Sequence, residues 1–180
     1  GPSKITLVAN SNADNPLAYY DLNPFLGGNA SDTSWTLRYK VFYNAFNNTA
    51  SGQGAKFEMG LSDSTAITGE TPSIDLIAGS RAAHAAGSNQ NPVARYNATS
   101  CSGTQNGVVV SSPFTGTRYV QVQRTSGTTM EVKIFTDSGY SVLQETMTIS
   151  SFCDTIEDLR YLFCRIHYQN VSDTNTVEVS

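Results

Sequence analysis

Thr117 to Ile149 reads TRYVQVQRTSGTTMEVKIFTDSGYSVLQETMTI. Apolar and polar residues alternate through three segments, and two short turns rich in Ser, Thr and Gly divide them. A strand buried on one face requires this period of two, because successive side chains point to opposite faces of a sheet. Val120 and Val122 share one face, as do Met130, Val132 and Ile134, and then Leu143, Met147 and Ile149. The turns at Ser126-Gly127 and Ser138-Gly139 supply the backbone freedom of a hairpin. The stretch is expected to be a three-stranded antiparallel meander.

The same pattern extends outward in both directions. Lys4 to Val8 and a short piece around Tyr19 and Tyr20 read as strands, with Asn23-Pro24 and Gly27-Gly28 breaking the chain after them. Trp35 to Phe46 is the longest strand, its odd positions Trp35, Leu37, Tyr39, Val41 and Tyr43 forming the apolar face. A Gly- and Ser-rich turn over 48–54 leads to a partner strand in which Ala55, Phe57, Met59 and Leu61 alternate with polar residues. Ile74 to Ala78, Pro92 to Thr99 and Gly107 to Ser111 are further strands, with Arg81 to Asn91 read as loop or strand edge and a polar loop around Cys101. Ser151 to Asp158 carries the one helical turn, and Asp158 onward a long strand with rings on both faces. Roughly eleven strands at this spacing predict an all-β fold, a two-sheet antiparallel β-sandwich with at most one short helical turn. No fixed-period repeat points to a solenoid or propeller.

A chain of 180 residues fits one domain with a real core, and residues 4–180 are read as that domain. Gly1-Pro2-Ser3 reads as the remnant of a cleaved tag. Charged residues are 14%, against about a quarter in ordinary soluble domains, while Ser and Thr number 41 and Asn 14. That composition is shared by many secreted and surface β-domains. A net charge of −4 gives no electrostatic reason to expect nucleic acid as a partner, and no apolar run approaches a membrane span, so no membrane insertion is expected. The four N-x-Ser/Thr sequons, at Asn29, Asn47, Asn97 and Asn170, are about what chance gives for this composition.

Three cysteines are too few and too irregularly spaced for a zinc ribbon. In an oxidising compartment one disulfide is expected, Cys153 pairing with Cys164 or with Cys101, and Cys153–Cys164 is the first named of the two. Three buried, reduced thiols are the alternative.

The order of the pieces WTLRYKVFY, FEMGLSDS, RYVQVQRTSGTTMEVKIFTDSGYSVL, DLRYLFCRIHYQN and TVEVS resembles the concanavalin A-like jelly roll, which includes laminin-G-like domains, legume-type lectins and carbohydrate-binding modules. The hairpin followed by Thr136-Asp137-Ser138-Gly139 carries most of that resemblance. It covers nearly the whole chain and implies a fold more than an activity. Hydrolases of this fold carry two acidic residues on one strand face. Here Glu58 is isolated on its strand, Glu131 has no acidic strand-mate, and Glu157-Asp158 face opposite ways, so no catalysis is expected.

Sugar binding calls for aromatic rings that stack on pyranoses, flanked by amides or charges for the hydroxyls. Tyr161, Phe163, Arg165 and His167 share one face of the last long strand. Tyr119, Gln121 and Gln123 share one on the meander, and so do Glu131, Lys133 and Phe135. Together they are expected to make one aromatic and polar sheet face, with Arg95 reaching in from a loop edge. Its ligand residues would be Tyr119, Gln121, Phe135, Tyr161, Arg165, His167 and Arg95. Asp63, Asp75, Asp137 and Asp173 are oxygen donors of the type calcium takes, Asp63 and Asp137 being the foremost, although Asp in a turn commonly caps its own backbone. His84 and His167 have no nucleophile pattern beside them. The expected function is a non-catalytic, extracellular, lectin-like module that binds glycan or polysaccharide, part of a surface, secreted or virion protein. A structural or adhesive domain that binds protein is the alternative, and a glycoside hydrolase comes third.

Overall fold

The structure, a computed structural model, describes residues 4–9, 17–45, 56–65, 75–82, 89–107, 110–111, 115–153, 155–167 and 175–180. In chain order these contain β1 (Ile5–Ala9), β2 (Leu17–Asp21), α1 (Asn23–Leu26), β3 (Trp35–Ala45), β4 (Lys56–Ser62), β5 (Asp75–Ala82) and β6 (Asn89–Asn97). There follow β7 (Ser102–Asn106), β8 (Val110–Ser111), β9 (Gly116–Ser126), β10 (Thr129–Phe135), β11 (Leu143–Ser150), β12 (Tyr161–His167) and β13 (Asn175–Val179). The first sheet runs β1-β13-β3-β9-β10-β11 and the second β2-β12-β4-β5-β6-β7, with β8 beside β6; all the pairings are antiparallel. The protein is an all-β sandwich.

The meander forms as the alternation predicts. β9, β10 and β11 pair in succession, and Val120, Val122, Met130, Val132, Ile134, Met147 and Ile149 all enter the core. The odd residues Tyr39, Val41 and Tyr43 of β3 join them, and Phe57, Met59, Leu76, Ala78, Ala94, Cys164 and Ile166 come from the second sheet. Among the contacts that cross between the layers, the Tyr39 hydroxyl donates to the Ala78 carbonyl at 3.1 Å, and the Tyr43 and Phe57 rings meet edge to face at 5.9 Å.

Several expectations are corrected. Leu143 is 52% exposed, because a register shift between Ile134 and Phe135 sets Leu143 opposite Phe135 instead of alongside Met147 and Ile149. The helical turn lies at Asn23–Leu26, where Pro24 occupies the first turn and Gly27 closes it at φ 69°. Within 151–158 the described residues are irregular: Ser151 and Asp158 take φ of 63° and 59°, while Phe152 and Ile156 are buried. β7 forms in the polar stretch read as a loop around Cys101.

The disulfide joins Cys101 to Cys153, with Cα atoms 6.4 Å apart, not Cys153 to Cys164. Cys101 precedes β7 in the second sheet and Cys153 follows β11 in the first, so the bond ties the layers together at one end. Cys164 points from mid-β12 into the core, and burial pushes its thiol up to about 11. No helix among the described residues is long and apolar enough to cross a membrane.

Candidate functional site: the two outer sheet faces

The residues that do not enter the core lie on the two outer faces of the sandwich. On the first sheet, three rows cross β3, β9 and β10: Lys40–Tyr119–Phe135, Arg38–Gln121–Lys133 and Thr36–Gln123–Glu131. Arg38 Nε donates to Gln121 Oε1 at 2.7 Å, and Gln121 Nε2 donates to Gln123 Oε1 at 3.2 Å. Lys133 pairs with Glu131 at 2.8 Å.

The turn between β10 and β11 folds a further ring, that of Tyr140, onto this face. Asp137 organises that turn. Its carboxylate accepts from the backbone N–H of Gly139 at 3.0 Å, of Ser141 at 3.0 Å and of Val142 at 2.6 Å, and from the Ser141 hydroxyl at 2.9 Å. The Val142 N–H and then the other donors hold its carboxyl below the usual Asp range. Tyr140 is thereby held at φ 54°, a conformation unfavourable for a large side chain. Its ring lies 5.5 Å from the Phe135 ring and 5.9 Å from that of Tyr119, and the Arg38 guanidinium sits 5.0 Å from its centre.

Tyr119, Gln121 and Phe135 are therefore brought together, with a division of labour that alternation does not show. Phe135 is 7% exposed, a floor under Tyr140 and not a free ring. Gln121 is buried, its amide engaged on both sides by Arg38 and Gln123. Tyr119 and Tyr140 are half-buried, and Arg38 is exposed. Arg38 and Tyr140 escaped the sequence reading. Their signals were an outward even position on β3 and the residue after Thr136-Asp137-Ser138-Gly139, but neither is informative until β3 is known to lie beside β9.

The other predicted ligand residues stand on the second sheet, so the expected single face is in fact two. Alternation assigns a side chain to a face of its own strand; it does not say to which sheet that strand belongs. One row there runs Asp21–Tyr161–Ser62–Asp75–Asn97–Ser102, the next Tyr19–Phe163–Gly60–Ile77–Arg95–Thr104, and the third Leu17–Arg165–Glu58–Gly79–Val93–Asn106. Arg165 Nε donates to Glu58 Oε2 at 2.7 Å and Arg95 Nη1 to Glu58 Oε1 at 3.2 Å. Glu58, without an acidic mate on its strand, is thus held by two arginines. With Arg165 3% and Glu58 4% exposed, this is a buried ion cluster and not a ligand-contacting surface.

Tyr161 is half-buried at the β2 edge, its ring edge-on to Tyr19 at 6.4 Å and 5.2 Å from the Arg160 guanidinium. Asp21 holds that guanidinium through two bonds, at 3.0 and 2.7 Å. His167 pairs with Lys56 through the backbone; its side chain, like His84 and Asp173, lies outside the described residues. Asp137, expected as a metal ligand, spends its carboxylate on the turn. Asp63 follows directly on β4, and Asp75 opens β5 opposite Ser62. Asp75 is fully buried, and neither of its oxygens has a hydrogen-bond partner. Burial, and then the charge of Glu58, raise its carboxyl well above the ordinary range, against the opposing pull of Arg95 and Arg165.

No family model and no curated protein matches the chain. Solved structures similar to it include the CBM2 module of an evolved Dit of Lactobacillus casei BL23 phage J-1, at 9% identity and a TM-score of 0.48, over 91% of this chain and 68% of that one. A functionally unknown protein from Saccharomyces cerevisiae gives 11% and 0.49, over 98% of this chain and 83% of that one. A protein of unknown function from Shewanella oneidensis MR-1 gives 10% and 0.38, over 94% and 87%. The sandwich itself rests on the strand pairing described above.

Proposed function

We propose that this chain is a non-catalytic glycan-binding module of the concanavalin A-like jelly-roll kind, with the outer face of the first sheet as its contact surface. One observation carries the reading: Tyr140 and Tyr119 stand as neighbouring, partly exposed rings beside the Arg38 guanidinium. Rings that cover an apolar sugar face, with a cation beside them for the hydroxyls, are the chemistry such a ligand needs. Because strands and the Asp137 turn hold them, little ordering cost remains for binding. The Cys101–Cys153 bond supports an oxidising, extracellular setting. The engagement of Glu58 by two arginines supports the absence of a catalytic carboxylate pair.

A glycan array, followed by affinity electrophoresis on soluble polysaccharides, tests the proposal. Retention on at least one glycan, weakened by Arg38→Ala and by Tyr140→Ala, is expected. Failure to bind any glycan, with or without calcium, removes it.

A second reading, a protein-docking domain, is favoured by an apolar patch beside the β2 edge. Phe25 is 70% exposed, its ring 5.4 Å from that of the exposed Tyr20, and Leu26 is exposed next to it. Under that reading Phe25→Ser changes the association state on size-exclusion chromatography, and no glycan is retained.

A further inference from the structure

Three aspartates show three fates of a carboxylate in this fold. Asp137 is saturated by the donors of its own turn, and Asp21 is clamped by Arg160. Asp75 has neither: it is 0% exposed, and neither oxygen meets a donor. A buried carboxylate left in that state is costly unless something supplies the missing partner.

The outer face of the second sheet limits what that partner can be. Its two guanidiniums, those of half-buried Arg95 and buried Arg165, both turn to Glu58 in the third row, roughly 13 Å along the sheet from the row of Asp75; their charges act on Asp75, but neither donates to it. At the Asp75 end the neighbouring groups are oxygen donors: Ser62 and Asn97 flank Asp75 in register, and Asp63 follows Ser62 in the chain, near enough for its charge to act on Asp75. A pyranose needs open surface, which a fully buried side chain does not offer, whereas a single ion needs only oxygens. Among the described residues no three His, Cys, Asp or Glu side chains cluster, and the neighbours of Asp75 offer oxygen, which a soft or imidazole-loving metal does not favour. Two carboxylates completed by neutral oxygens suit calcium, which accepts six to eight oxygens in loose geometry.

We propose that Asp75 anchors a calcium site at the β4–β5 end of the second sheet, with Asp63 as its second carboxylate and Ser62 and Asn97 among its neutral oxygens. This is independent of glycan binding on the opposite face. With only two charged ligands its dissociation constant falls in the range of extracellular modules, on the order of 10⁻⁴ to 10⁻³ M.

Thermal unfolding of the whole chain, stripped with EDTA and then titrated with calcium chloride, tests it alongside terbium luminescence sensitised by tyrosine. At about tenfold excess over the dissociation constant, the expected rise in Tm is about 4 °C. Asp75→Asn raises the calcium-free Tm and abolishes the calcium response; Asp63→Asn weakens the response; Asp137→Asn leaves it intact. An unchanged Tm and no terbium signal in the wild type overturn the proposal and leave Asp75 a protonated carboxyl. A calcium response that survives Asp75→Asn also overturns it. Should Asp75→Asn fail to fold, the wild-type titration and Asp63→Asn still decide. Glycan retention measured in EDTA reports separately on the first sheet.

Discussion

Asp137 and Asp75 carry the same side chain with opposite consequences. The carboxyl of Asp137 titrates below the unfolded value of about 3.9, so its ionised form favours the folded turn. That contribution is fully present above about pH 3.9 and is lost as pH falls through the lower folded value. Acidification into this window is therefore expected to release Tyr140, read as loss of its ring-current shifts on Phe135 in NMR spectra, while Asp137→Asn removes the pH dependence. Asp21, also lowered by its bond to Arg160, weakens in the same direction. At the same scale, Arg38→Ala removes one charged hydrogen bond and one cation–ring contact. A drop of about tenfold in glycan affinity is expected, measured by isothermal titration.

Two strands carry constraints that their alternation conceals. In β4, a Cβ at Gly60 would meet the Leu76 carbonyl oxygen at 2.0 Å, a backbone atom that cannot give way without moving β5. Gly60→Ala is expected to destabilise by about 3 kcal/mol, measured by urea unfolding with little change in slope. In β9, Arg124 occupies the same inward face as Val120 and Val122 and is 1% exposed. It stays inside because its guanidinium closes the β9–β10 turn, Nε donating to the Ser126 carbonyl at 3.1 Å and Nη2 to that of Gly127 at 2.6 Å. Arg124→Met keeps the length, strands both carbonyls and is expected to cost about 2 kcal/mol in the same assay.

Across the whole molecule, the two layers are joined by the core and by one covalent link. Cys101 and Cys153 are 52 residues apart, and closing a loop of that length in the unfolded chain is worth about 4 kcal/mol. Reduction, or replacement of both by serine, is expected to lower the unfolding free energy by roughly that amount in denaturant melts. Cys164, buried and with its thiol pushed up to about 11, is expected to stay unlabelled by iodoacetamide until the protein unfolds.

The sequence by itself determined which face of a strand turns inward. Period-two alternation over Thr117–Ile149 and Trp35–Tyr43 depends only on neighbours in the chain, so the inward sets Val120 and Val122, Met130 to Ile134, and Tyr39 to Tyr43 were legible without coordinates. Tertiary structure alone decided which strands became neighbours. It divided Tyr119 from Tyr161 between two sheets, laid Arg38 beside Gln121, paired Cys153 with a cysteine 52 residues away, and left Asp75 buried without a donor. The physical reason is one of range. A side chain's face is fixed locally by the pleat, whereas its partners are fixed by strand order, which follows from how the whole set of apolar faces is buried together.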